Sequence, residues 1–108
     1  MIGVNGSTSA EATSAEVPAG TLAVRVRYFA GARAAAGVAE ETLQLAVPAG
    51  GSRSVDEVLA AAVSTRGERL ARVIAASSFL LDGTAVRDRG TAVADGQELD
   101  VLPPFAGG

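Results

Sequence analysis

Chemistry has few places to reside in this chain. Its 108 residues include no cysteine and no histidine, which excludes a thiolate nucleophile, an imidazole general base and the usual zinc-binding set. Lysine is absent too. All nine basic residues are arginine, so side-chain Schiff bases and self-conjugation through lysine are excluded, and the only primary amine is the N-terminus. Carboxylates alone remain for a metal, and no calcium-loop spacing is present. Such a chain is a poor candidate for an autonomous enzyme. The group left with chemistry to do is the α-carboxylate of Gly108.

The residues before that carboxylate are shaped to carry it. Leu99 to Leu102 reads as a short apolar strand interrupted only by Asp100. Pro103 cannot donate to a ladder, so a central strand must finish near Leu102. Pro103 and Pro104 together favour extended geometry that keeps the exit from folding back. Phe105 is an apolar side chain past the last strand residue. Gly107 and Gly108 have no Cβ and pass through a channel too narrow for other residues. From Pro103 onward the chain reaches roughly 20 Å at about 3.3 Å per residue, enough to enter another protein's active site. Against this stand two plainer accounts of a Gly-Gly end, a frayed terminus and a cloning scar.

Composition bounds the rest. The length fits one domain with an adequate core. A net charge of −3, with no basic run or aromatic-basic stripe, argues against nucleic acid. No apolar stretch approaches the roughly 20 residues that cross a bilayer, and no signal-peptide pattern opens the chain. The expectation is a cytoplasmic protein that neither enters nor binds membrane.

Along the chain, residues 1–20 are small, polar and aperiodic, the pattern of a disordered N-terminal extension. Leu22 to Phe29 alternates, with Leu22, Val24, Val26 and Tyr28 on one face and Ala23, Arg25, Arg27 and Phe29 on the other. Ala30 to Gly37 is an Ala-rich turn or short helix closed by glycine, with Arg33 its only charge. Glu41 to Val47 alternates again, turning Leu43, Leu45 and Val47 inward, and the two runs pair as antiparallel neighbours. Ser54-Val55-Asp56-Glu57 is a capping box that opens a helix running to about Arg66 and stopped by Gly67. Its apolar stripe is Val55, Val58, Leu59, Ala62 and Val63. A weaker helical turn places Leu70, Val73 and Ile74 against the core. Phe79-Leu80-Leu81 and Thr84-Ala85-Val86 form a hairpin about Asp82-Gly83, and Asp95-Gly96 turns the chain into the terminal strand. The element order gives an α+β fold, one mixed sheet with one main helix packed on one face. The C-terminal strand belongs mid-sheet beside the first, with Glu98 and Asp100 on its wetter face. Residues 21–102 form the domain and 103–108 a flexible tail.

Three segments carry a resemblance: Val-Arg-Val-Arg-Tyr-Phe-Ala-Gly-Ala-Arg near the start, the Ser-Val-Asp-Glu-Val-Leu helix, and the terminal Leu-Pro-Pro-Phe-Ala-Gly-Gly. Over residues 22–108 the chain resembles the small subunit of molybdopterin synthase, the MoaD/ThiS family of ubiquitin-like β-grasp sulfur carriers. Asp100 departs from the apolar residue common near that point. The resemblance implies that an ATP-dependent adenylating and sulfurating enzyme (MoeB/ThiF-like) converts Gly108 to an acyl-adenylate and then to a thiocarboxylate. The sulfur then passes to the pterin precursor held by the large synthase subunit (MoaE-like). It also implies that the chain binds no cofactor itself, ATP being used by the activating partner, and that it is the non-catalytic donor subunit of a sulfurtransferase. By similarity Gly107, Ala106, Phe105, Pro104 and Pro103 belong to the tail and its contacts. Arg33 matches a family arginine and stands between partner contact and a plain solvated charge. Phe29 and Leu102 stand between partner contact and core packing. Rival destinations are another sulfur pathway (thiamine thiazole, cysteine or tungsten cofactor) and a protein modifier or interaction module whose Gly-Gly end forms an amide with a target lysine.

Overall fold

The computed structural model describes residues 20–104; the extension expected for 1–20 falls almost wholly outside them, as do Phe105, Ala106, Gly107 and Gly108. The first strand, β1 (Gly20–Tyr28), buries Leu22, Val24, Val26 and Tyr28 and turns Arg25 and Arg27 away from the core. Helix α1 (Ala30–Ala36) follows and ends on left-handed Gly37, whose N–H donates to Arg33 O at 2.9 Å. Strand β2 (Glu40–Val47) returns antiparallel to β1, in a register that sets Val24 opposite Leu43 and Leu22 opposite Leu45.

A two-residue strand, β3 (Arg53–Ser54), leads into α2 (Val55–Arg66), and α3 (Glu68–Ala75) follows after one residue. The capping box forms as its spacing requires. Ser54 Oγ accepts from Glu57 N at 3.2 Å, and Ser54 N donates to Glu57 Oε1 at 2.9 Å. The helix's other early N–H groups find partners in a distant loop: Val55 N donates to Thr91 O and Asp56 N to Arg89 O. That loop is pinned by β6 (Ala92–Val93), which pairs antiparallel with β3 in a small second sheet. Gly67 joins α2 to α3 at φ 103° and ψ −177°, a conformation essentially reserved for glycine. The weaker helical turn expected here is a two-turn helix that buries Leu70 and Ile74.

Strand β4 (Ser78–Leu81) and β5 (Thr84–Ala85) make the expected hairpin about Asp82 and Gly83, at φ 47° and 81°. Positive φ at both central positions is the two-residue turn that matches strand twist. The last strand, β7 (Glu98–Leu102), lies between β1, to which it is parallel, and β4, to which it is antiparallel. The main sheet therefore runs β2-β1-β7-β4-β5. Val24, Val26, Leu99, Val101, Phe79 and Leu81 form its inner face, packed against Val55, Val58, Leu59, Ala62, Leu70 and Ile74 of the helices. The α+β expectation holds, and the short helix and the weaker helical turn expected beside the main helix are both helices.

One placement needs correcting. Asp100 does face away from the helices, but it is 7% exposed and not on a wet surface. In the register it lies between Arg27 of β1 and Leu80 of β4, and these two cover it.

Candidate functional site

Because β1 and β7 are parallel, their ends lie together, and the chain leaves the sheet at Leu102 beside the residue that follows β1. That residue is Phe29. Its N–H donates to Val101 O at 3.2 Å, so it extends β1 along the end of β7. Phe29 is 37% exposed, the exposed large apolar residue among the described residues. Leu102 and Pro103 are half-buried and Pro104 is exposed. Val101 is thus the last core residue before the exit. The parallel pairing brings Phe29, Leu102 and Pro103 to one end of the sheet. Arg33 stands one turn into α1, exposed, with no ion-pair partner among the described residues. It lines a shallow groove of about 410 Å³ with Ala30, Ala34, Gly37, Val38 and Ala39.

The open face of the sheet next to this exit carries a ladder of charges. Arg27 donates from Nε to Asp100 Oδ1 at 2.8 Å and from Nη2 to Asp100 Oδ2 at 3.0 Å, a bidentate fork. Its Nε is also 3.4 Å from Glu98 Oε2, and Arg25 pairs more loosely with Glu40 at 3.7 Å. The hydrogen bond to Asp100 raises the guanidinium's already high pKa. Arg27 also stands over the Phe29 ring, its Cζ 5.4 Å from the centroid. Arg27 was readable only as one member of an outward face. The parallel register that sets it opposite Asp100 comes from the tertiary structure.

On the inner side, a second network ties β1, β2 and α2 together. Tyr28 Oη donates to Glu41 Oε2 at 2.6 Å, and Arg66 donates to both Glu41 oxygens at 2.8 and 3.2 Å. The Arg66 bonds hold the Glu41 carboxyl below its usual range, with the Tyr28 hydroxyl adding to the effect. Burial, and then the Glu41 acceptor, push the Tyr28 phenol well above its usual value. These groups tie β2 and α2 to the end of β1. A larger groove, about 780 Å³, lies between α2 and α3 along Leu59, Val63 and Ile74, and none of the tail-exit residues lines it. Among the described residues no group of three potential ligands is placed to hold a metal ion, and no helix is long and apolar enough to cross a membrane.

The profile of the ThiS family matches residues 26–108. The chain belongs to the ThiS family. A molybdopterin synthase sulfur carrier subunit from Chlamydomonas reinhardtii is 33% identical over 88 residues, which are 81% of this chain and the whole of that protein. Among solved structures, the small archaeal modifier protein 1 of Methanosarcina acetivorans matches with a TM-score of 0.66 at 27% identity, over 82% of this chain and 98% of its own. A Pyrococcus furiosus protein assigned as molybdopterin converting factor, subunit 1, matches with a TM-score of 0.65 at 26% identity, over 78% and 99%. The fold is the ubiquitin-like β-grasp, and the chain is a sulfur carrier of the ThiS/MoaD type.

Proposed function

We propose that this chain is the small, sulfur-donating subunit of a molybdopterin synthase. The observation that carries the reading is the position of β7: a central strand whose burial stops at Val101 and whose extension starts with two prolines beside an exposed phenylalanine. The relative from Chlamydomonas reinhardtii, matched along its whole length, supports the same assignment.

The chemistry follows from the state of the α-carboxylate. With a pKa near 3.5 it is ionised at neutral pH and is a poor electrophile. An ATP-using, MoeB/ThiF-like enzyme would let the Gly108 carboxylate oxygen attack the α-phosphorus, releasing pyrophosphate and leaving an acyl-adenylate. Sulfur at the sulfide oxidation level then attacks the carbonyl carbon, AMP leaves with its electron pair, and a thiocarboxylate remains. The tail, Pro103 to Gly108, enters the MoaE-like large subunit and delivers sulfur to the pterin precursor. Phe29, Leu102 and Arg33 form the docking surface around the tail's root. Positioning and charge stabilisation come from the partners, since this chain has no cysteine, histidine or lysine to supply them.

A second reading has its own support: the archaeal modifier protein 1 shares the fold at 27% identity, and a modifier would form an amide with a target lysine. Intact-mass analysis of the full chain from sulfur-replete cells separates the two. A carrier shows an oxygen-for-sulfur exchange and co-purifies with the large subunit; a modifier is found joined to larger proteins. Deleting Gly107 and Gly108 should leave the melting curve unchanged and abolish sulfur transfer. A truncated chain that still supports pterin sulfuration would overturn the mechanism.

A further inference from the structure

The Arg27–Asp100 pair is costly as a purely structural device. A carboxylate that is 7% exposed must be desolvated, and a well-packed apolar pair of similar volume is often as stable or more so. What an apolar pair cannot supply is a guanidinium fixed in orientation. Two of the five Arg27 N–H groups are taken by Asp100, which sets the plane of the fork. Nη1 has no acceptor among the described residues, and the side chain is 39% exposed. The same guanidinium lies against the Phe29 ring, at the root of the tail.

The geometry points to Arg27 as a specificity-determining residue of the docking face, with Asp100 as the residue that positions it. Arg27 braces the Phe29 ring and offers its Nη1 donors to carbonyl oxygens on the rim of an apolar socket in the partner protein. This rests on the carrier reading above, and it names the chemistry of the partner's surface. The local charges decide the type of acceptor. Arg25 and Arg27 face three carboxylates, Glu40, Glu98 and Asp100, so the patch sums to −1. An incoming carboxylate would be repelled by the two acids flanking Arg27, whereas a neutral carbonyl accepts the same hydrogen bonds without that penalty. Opposite Arg27 the partner's rim therefore presents neutral backbone or amide carbonyls and no carboxylate.

The test uses the full chain and the large synthase subunit, measuring affinity, KM and kcat for sulfur donation, and the melting temperature. Three variants are compared with the wild type. Arg27→Lys keeps the charge but loses the fork. The exchange of Arg27→Asp with Asp100→Arg keeps the pair but moves the guanidinium off Phe29. Arg27→Leu with Asp100→Leu replaces the pair by apolar side chains and guards against a simple folding defect. Each folded variant should bind about tenfold more weakly, the loss of one charge-assisted hydrogen bond, with KM raised and kcat unchanged. Variants that melt normally and bind as tightly as the wild type would show that Arg27 is structural only. A loss confined to kcat would overturn the proposal as well. A wild type that binds no large subunit and gains no sulfur would overturn the carrier reading and this proposal together, an outcome visible before any variant is made.

Discussion

Replacing Glu41 by Gln tests the network that joins the first two strands to the main helix. The carboxylate accepts three hydrogen bonds, one from Tyr28 and two from Arg66. Glutamine keeps one oxygen for the buried phenol but turns an amide toward the guanidinium, breaking the fork and removing the charge. Hydrogen bonds to charged groups contribute about 1.5–3 kcal/mol. Arg66 is 26% exposed, so water screens part of that, and a net loss of about 2 kcal/mol is the reasonable figure. For a domain of this size that lowers the melting temperature by roughly 8–16 °C. The pH dependence provides a sharper check. Arg66, then Tyr28, depress the folded-state pKa of Glu41 below its ordinary value of 4.5. The stabilisation from its ionised form is thus fully present above about pH 4.5 and is lost as pH falls through the lowered folded value. Glutamine resembles the protonated acid, so the gap between wild type and Glu41→Gln should be widest at pH 7 and shrink progressively as pH falls below about 4.5. Urea denaturation at several pH values reads this directly. A gap of the same size at pH 3.5 and pH 7, or no gap at pH 7, would refute the reasoning.

Two further outcomes follow from local geometry. Gly67→Ala should destabilise the fold by about 1–3 kcal/mol although no atom lies within 4 Å of the added Cβ, because the backbone conformation itself rejects a side chain; a melting temperature equal to the wild type would contradict this. Ser54→Ala removes the Oγ acceptor of the capping box and should cost about 1 kcal/mol by chemical denaturation, with the midpoint shifted and the slope unchanged.

Much of this architecture was legible in local pattern. Period-two alternation assigned Leu22, Val24, Val26 and Tyr28 to one side of a strand, and all four are buried. Ser54 and Glu57 announced the start of α2 because a capping box is satisfied within four residues. Asp82-Gly83 announced the hairpin through the positive φ that its turn demands. Pro103 announced the end of β7 because it has no N–H to donate. The β3–β6 pairing left no such mark, since two-residue strands are too short to show a period.

Candidate site residues divide in the same way. The terminal glycines, the prolines and the outward face of Phe29 belong to the sequence, which dictates them through backbone chemistry and side-chain alternation; that Phe29 is exposed there belongs to the structure. Burial of Asp100 belongs to the tertiary structure. Alternation says which side of a sheet a residue faces, but how deeply it is covered depends on its neighbours in the register. Here the covering partner, Arg27, is 73 residues away in the chain. Only the parallel pairing of the first and last strands puts that guanidinium over the carboxylate, and that contact, with Leu80 of β4 on the other side, turns an outward-facing acid into a buried one.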